Sequence, residues 1–339
     1  MNPQDDAQTK FGLVQDMLAT PEIIRNFDLN AMQETSEQIA SVGKLWLTGE
    51  GSSRLFPAKG AITAALKRGT KLNLQTEAGL QSQEYPLDDW AVFALSNSGR
   101  TAEVIGLFDD LKKHNHNHLY SLTALADSKL ESLARTGYVL SCGEEHAVAA
   151  TKSVLEQALF LNALLEHVDG ADTLASQQES LADAVQSALT LSLDAETVDR
   201  IANARTIYWA GRSDGVTEEL TLKTNEITRK SADFLEGTYA VHGIEEVMDA
   251  EDVVIWIDPP EIAEEKFEKV LVDGVGLSVI AIADRPTRFP TITIPATPAY
   301  AEFVQMAAGW NVLVEVGVKL GVDIDKPTRA RKVGNEFSG

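Results

Sequence analysis

Residues 89–113, DWAVFALSNSGRTAEVIGLFDDLKK, constrain the fold of this chain more than any other stretch. The apolar run 91–95 has the length and composition of a buried parallel strand. Ser96, Asn97, Ser98, Gly99, Arg100 and Thr101 then turn the chain. From Ala102 onward, Val104, Ile105, Phe108 and Leu111 recur at helical spacing, opposite Glu103, Asp109, Asp110 and Lys112. A strand, a hydroxyl-rich glycine turn and a helix, in that order, aim free backbone N–H groups and the positive end of the helix dipole at an anion. The hydroxyls and Arg100 add donors suited to phosphate oxygens. The turn is not a P-loop, because no Gly-Lys-Ser/Thr follows the strand. A plain serine-rich N-cap turn has the same composition, so the turn by itself leaves both readings open.

Similar units recur along the chain. An N-terminal helical arm, 1–37, carries Phe11, Val14, Leu18, Ile23, Ile24 and Phe27 at amphipathic spacing. Pro21 is expected to break it in two, with Thr20 as an N-cap. A strand at 44–48 leads into Gly49-Glu50-Gly51-Ser52-Ser53 and a helix over 54–68, a second strand–glycine–serine–helix unit. Strands at 72–75, 120–124 and 138–141, with helices over 127–134 and 151–165, complete a first domain, 38–168. A linker helix with Leu174, Leu181, Val185 and Ala188 at helical spacing spans 169–199. The pattern then restarts. Ile207-Tyr208-Trp209-Ala210-Gly211 echoes the strand and glycine of 45–49, and 253–257 echoes 91–95. The offset of about 160 residues is that of a duplicated domain, here 200–322. Alternating strands and helices imply two parallel, doubly wound α/β sheets. In the second copy the serine turn is replaced by Asp258-Pro259-Pro260, so only the first is expected to hold an anion. An apolar helix over 303–320 and a basic tail, 323–339, end the chain.

Composition removes several classes of function. The formal net charge of −22 disfavours nucleic acid and anionic membrane surfaces as partners. No apolar run is long enough to span a membrane. The polar start MNPQDDAQTK is unlike a secretory leader, and one cysteine, Cys142, rules out an internal disulfide framework. A reducing, cytoplasmic setting is expected. His114, His116 and His118 invite a metal reading, but the run sits at a helix-to-strand turn with only Asp110 at a useful spacing, and neither a metal nor another cofactor is expected. Cys142 follows an apolar run and reads as a small buried hydrophobe more than as a nucleophile.

Taken together, these motifs resemble the SIS (sugar isomerase) superfamily over nearly the whole chain, most closely the isomerase half of glucosamine-6-phosphate synthase and its stand-alone relatives. Gly51-Ser52-Ser53 matches that family's glycine–threonine–serine turn, 96–101 its phosphate loop, and Val148-Ala149-Ala150-Thr151-Lys152 its valine–alanine–serine–threonine–lysine strand end. Lys223 and Glu226 match its catalytic helix, His242-Gly243 its histidine–glycine pair, and 323–332 its tail. The resemblance implies two tandem SIS domains of flavodoxin-like topology. It implies a phosphate site at Gly51, Ser52, Ser53, Ser96, Asn97, Ser98 and Thr101, with Val148 against the sugar. It further implies Glu226 as proton shuttle, Lys223 as charge stabiliser, and His242, contributed by the partner of a homodimer, as ring opener. Lys332 would meet the ketose carbonyl.

The chemistry asks for such groups. Moving a carbonyl between adjacent sugar carbons needs one base that removes a proton and returns it next door, and a cation where enediolate charge develops. Without the resemblance, Lys223 and Glu226 read first as a solvated i,i+3 pair and His242 as a surface histidine, with a flexible basic end a strong competing reading of Lys332. Arg329 and Arg331 are expected to lower the Lys332 pKa towards reactivity. Departures from the family pattern gather near the sugar. Glu50 stands for a cysteine, Ala150 for a serine, Ile244 for a proline and Tyr239 for a glutamate. No glutaminase segment precedes the pair, so glutamine-dependent amination by this chain alone is not expected. The expected substrates are hexose or aminohexose 6-phosphates, isomerised or deaminated. A deglycase on a fructosamine 6-phosphate and a sugar-phosphate sensor are the alternatives.

Overall fold

A computed structural model describes residues 1–338. Among the described residues ten strands form two sheets of five, and every pair of these strands is parallel. The first sheet contains β1 (Lys44–Thr48), β2 (Asn73–Glu77), β3 (Ala91–Ser96), β4 (Leu119–Thr123) and β5 (Thr136–Val139), in the order β2-β1-β3-β4-β5. The second contains β6 (Thr206–Gly211), β7 (Ser231–Glu236), β8 (Val253–Ile257), β9 (Ser278–Ala283) and β10 (Thr291–Thr293), in the order β10-β9-β8-β6-β7. Both are the flavodoxin-like arrangement, whose strand order reverses beside the first strand. Central β3 and β8 are buried along their whole length, whereas the edge strands β2, β5 and β7 are only partly covered.

Side chains alternate across each strand, so each sheet offers two faces to helices. On one face of the first, Val92 and Ala94 pack with Val104, Ile105 and Phe108 of helix Ala102–Lys113. On the other, Phe93 lies 5.9 Å from the Tyr120 ring and 5.7 Å from Phe160 of helix Lys152–Asp169. The second sheet repeats the scheme. Trp256 stacks on Phe267 at 3.5 Å, and on the opposite face the Trp209 indole N–H donates to Thr224 of helix Val216–Thr228 (2.7 Å). Burying each such aromatic side chain contributes about 1.5–3 kcal/mol.

The described residues form two compact units. One holds the first sheet: Glu22–Glu145, Ala150–Glu179 and the tail from Ala330. The other holds the second sheet: Met1–Pro21, His146–Ala149 and Ser180–Arg329.

Several local expectations change. Pro21 lies inside one continuous helix, Gly12–Asn26, instead of breaking it. A proline at this position leaves the Met17 carbonyl without its i+4 donor. The buried Thr20 hydroxyl takes that role at 2.6 Å, so Thr20 repairs the helix interior and is not an N-cap. The single helix expected over 169–199 is two, Thr173–Leu189 and Ala195–Asn203, the second capped by Asp194 on the Thr197 N–H. The stripe of Leu174, Leu181, Val185 and Ala188 is buried as its spacing required. The strand expected at 138–141 is shifted to β5, because the Glu156 carboxylate draws the Ser141 and Cys142 N–H groups out of the ladder, each at 2.8 Å. The tail is less polar in effect than its composition implies. Ile324 is fully buried, and Phe337 packs on the cluster around Val92 and Val104.

Candidate functional site

In an open parallel sheet, ligands bind beyond the carboxyl ends of the strands, where strand order reverses. In the first sheet that crevice lies between β1 and β3, and each strand runs straight into one of the two serine turns. The turns approach closely. A Cβ on Gly49 would come within 2.8 Å of the Leu95 carbonyl oxygen. After β1, Gly51–Ser53 forms one tight helical turn, with Ser53 buried and Ser52 half-buried. After β3, the loop is held by its own hydroxyls. The Gly99 N–H donates to Ser96 Oγ (3.1 Å), Ser96 Oγ lies 3.1 Å from Thr101 Oγ1, and the Arg100 N–H donates to Ser98 Oγ (3.2 Å). Gly99 has φ +62° and sits against Ser128, where a Cβ would approach to 2.4 Å, so only glycine makes this turn. Thr101 is the N-cap of helix Ala102–Lys113 but makes no side-chain capping bond. Ser98 and Thr101 remain partly open, as an anion site requires. The Asn97 amide donates to Ser153 Oγ (2.7 Å), so Asn97 fixes the loop through its own side chain.

Ser153 belongs to a second polar cluster in the same unit. Glu145, only 2% exposed, accepts from the Thr151 and Ser153 N–H groups and from Ser153 Oγ at 2.7–2.9 Å, capping helix Lys152–Asp169. A carboxylate there satisfies free N–H groups and opposes the helix dipole. Lys332 reaches this loop, with its ammonium on the Glu145 carbonyl and 3.7 Å from the Glu144 carboxylate. Its partners there are thus one backbone carbonyl and one carboxylate. The tail continues onto the serine turn. The Ala102 N–H donates to the Asn335 carbonyl, the Phe337 N–H to the Arg100 carbonyl, and Arg100 pairs with Glu336 at 3.1 Å. A cleft of about 610 Å³ beside Ser98 is lined by Arg100, Ser128, Lys129 and Phe337.

In the other unit, Lys223 is fully buried and lies 2.6 Å from Glu226 and 3.2 Å from Glu219. Burial alone would push the lysine pKa down, but the two carboxylates outweigh it and hold the ammonium above the usual lysine range. The solvated-pair reading of Lys223 and Glu226 is thereby excluded. Glu226 is 21% exposed, so this buried cation supports a carboxylate that still reaches solvent. Glu219 went unread in the sequence, although its spacing of four residues before Lys223 is the ordinary signature of a helical Glu–Lys pair. His242 is exposed, at the end of the short turn Tyr239–Val241 and before Gly243 at φ +113°. It lines a 620 Å³ cleft with Phe234, Glu236, Thr238 and Tyr239. Among the described residues, no hydrogen bond joins its ring to Lys223 or Glu226. The Val148 N–H donates to the Asp325 carbonyl (3.0 Å), and the Asp325 carboxylate caps the Gly12 and Leu13 N–H groups.

The second sheet has the same crevice, between β6 and β8, but there Arg212 and Asp258 pair at 2.6 Å. After β8 the chain carries Asp258-Pro259-Pro260 in place of the serine turn. For the histidine run, the His116 ring bonds the Leu87 carbonyl at 3.0 Å, and no group of three His, Cys, Asp or Glu among the described residues is placed to hold a metal ion. Cys142 is partly buried, and burial followed by the Glu156 charge pushes its thiol well above the usual range, which suits a packing residue.

Comparisons place this geometry among known folds. Residues 38–167 match the SIS domain family. No curated protein sequence matches the chain. Among solved structures, the C-terminal domain of glucosamine-fructose-6-phosphate aminotransferase from Francisella tularensis is similar over 95% of this chain and 100% of that one, with 18% identity and a TM-score of 0.79. Tagatose-6-phosphate ketose/aldose isomerase from Escherichia coli is similar over 96% and 99%, with 16% identity and a TM-score of 0.78. Glucosamine-6-phosphate deaminase from Thermotoga maritima is similar over 97% and 99%, with 20% identity and a TM-score of 0.77. At these identities the likeness is one of fold, and it extends across both sheets. The first sheet with its two serine turns, residues 38–167, is a SIS domain, and the second sheet repeats its architecture in tandem.

Proposed function

We propose that this protein is a phosphosugar isomerase or deaminase acting on hexose or aminohexose 6-phosphates. The phosphate is received by Ser52, Ser53, Ser96, Ser98 and Thr101 at the switch point of the first sheet. The observation that carries the enzyme reading, over that of a sensor, is the buried ammonium of Lys223 clamped by Glu219 and Glu226. An enediol reaction needs a solvent-reaching base with a cation beside it, and this pair supplies both. In this reading Glu226 takes the proton from one sugar carbon and returns it to the neighbouring one, as the carbonyl moves the opposite way. Lys223 steadies the carboxylate between the two transfers and the oxyanion charge that develops. His242 opens the ring, and Lys332 meets the carbonyl from the tail. Similar structures bearing the names of a glucosamine-6-phosphate deaminase and a tagatose-6-phosphate ketose/aldose isomerase support the class of substrate. The working form is a cytoplasmic homodimer.

The test is a panel of hexose and aminohexose 6-phosphates, followed for ketose formation, ammonia release and exchange of the C2 proton with solvent deuterium. Glu226→Gln is expected to bind ligand while losing about 10²–10⁴ in turnover, the usual cost of removing a general base. Normal exchange in that variant refutes Glu226 as the proton shuttle, whereas ligand binding without turnover in the unmodified protein refutes the enzyme reading and leaves a sensor. A fully active monomer at high dilution, by light scattering and assay, removes the homodimer.

A further inference from the structure

Glu50 sits at the mouth of the same crevice. It follows β1 after Gly49 and immediately precedes Gly51, Ser52 and Ser53, next to the residues that the phosphate-site reading assigns. Its Oε1 accepts from the Gly79 N–H at 2.8 Å, which fixes the carboxylate to the start of helix Gly79–Ser82. Among the described residues its second oxygen carries no hydrogen bond, and the nearby Arg54 directs its guanidinium to the Thr76 carbonyl instead. Burial raises its pKa, and the negative charge of Glu103 adds to that, while the Gly79 N–H and Arg54 act in the opposite sense. A half-buried carboxylate with one oxygen satisfied and one spare seeks a donor.

Resting on the phosphate-site reading, we propose that Glu50 determines specificity there: its spare oxygen accepts a hydrogen bond from a hydroxyl or amino group on the body of a phosphate monoester, and its negative charge turns away ligands with a second anionic group. Both halves follow from position. A carboxylate beside a phosphate cradle weakens binding of any anion that gives it nothing back. It strengthens binding of a monoester whose carbon chain supplies a donor, because a hydrogen bond to a charged group is stronger than a neutral one.

Isothermal titration at neutral pH tests the proposal with inorganic phosphate, fructose 6-phosphate, glucosamine 6-phosphate and a hexose 1,6-bisphosphate. Glu50→Ala removes acceptor and charge, Glu50→Gln the charge alone, and Ser98→Ala is the control for the phosphate site. Glu50→Ala is expected to weaken the monoesters by about 10- to 100-fold, while both Glu50 variants tighten the bisphosphate and inorganic phosphate several-fold. Shifts of opposite sign cannot come from a misfolded variant. A larger loss for glucosamine 6-phosphate than for fructose 6-phosphate identifies an amine as the donor, and equal losses identify a hydroxyl. Shifts of the same sign for every ligand, or none, while Ser98→Ala weakens them all, overturn the role of Glu50. If Ser98→Ala also changes nothing, the phosphate-site reading falls first and this inference with it.

Discussion

Replacing Lys223 with methionine is the sharpest test of the electrostatics in the second unit. The side chain is fully buried, and methionine fills nearly the same volume, so packing changes little. What changes is charge. Glu219, itself fully buried, and Glu226 lose the cation 3.2 and 2.6 Å away. Removing one partner of a buried ion pair costs about 3–5 kcal/mol, because the remaining charge is left uncompensated. The protein's escape is to protonate a carboxylate, whose folded-state pKa then rises above its unfolded value. The stability recovered by protonation is present at low pH and lost as pH rises through that raised pKa. Urea unfolding followed by circular dichroism is therefore expected to show a deficit of about 3–5 kcal/mol at pH 8 that shrinks towards pH 5. The double variant Lys223→Met, Glu219→Gln should regain much of the loss without regaining turnover. In the parent protein the Lys223 ammonium stays charged across this range, so its own contribution is flat with pH. A deficit below about 1 kcal/mol, the value of an exposed ion pair, or one that does not change with pH, refutes the reasoning.

Other consequences can be measured separately. Thr20→Val leaves the Met17 carbonyl unpaired beside Pro21 and should cost about 1–3 kcal/mol in thermal or urea unfolding, whereas Thr20→Ser should be nearly neutral. Iodoacetamide should label Cys142 in the folded protein at pH 8 far more slowly than a free thiol, and labelling should accelerate in denaturant; equal rates would contradict a raised thiol pKa. Deleting residues 335–338 removes the carbonyl that accepts from Ala102 and the Glu336–Arg100 pair, so affinity for a hexose 6-phosphate should change while the melting transition persists. Unchanged affinity would separate the tail from the serine turn. Borohydride trapping with a ketose phosphate, read by peptide mass spectrometry, should place an adduct on Lys332, and full activity in a chain ending at Asp325 would exclude that role.

Much of this protein is legible locally. The run 91–95, the serine turn and the stripe Val104, Ile105, Phe108, Leu111 appear in the structure as written, because each depends on residues within a few positions of one another. The same holds for the strand that ends before Gly49 and for the apolar helix Ala301–Lys319. Even the replacement of the serine turn in the second copy by Asp258-Pro259-Pro260 could be read directly. That Arg212 would reach across and pair with Asp258 could not.

Errors fell where a side chain from elsewhere decides a local outcome. Pro21 breaks a helix on every propensity scale, and only the buried Thr20 hydroxyl shows why this helix continues. β5 stops early because Glu156 claims two N–H groups from the loop after it. That the Lys332 ammonium would meet Glu144 and the Glu145 carbonyl, far away in sequence, could not be read locally either.

By itself, then, the sequence determined periodicity, turn chemistry and the duplicated order of strands, which are short-range consequences of backbone sterics and hydrophobic spacing. Tertiary structure alone decided which carboxylates are withdrawn from water, wholly or in part, and what they hold. Asp325 caps Gly12 and Leu13, Glu145 caps Thr151 and Ser153, and Glu219 and Glu226 confine Lys223. In an acidic chain any glutamate reads as a solvated surface group. Its role emerges only when folding removes the water and leaves one donor within reach, since a buried charge must be paired and an exposed one need not be.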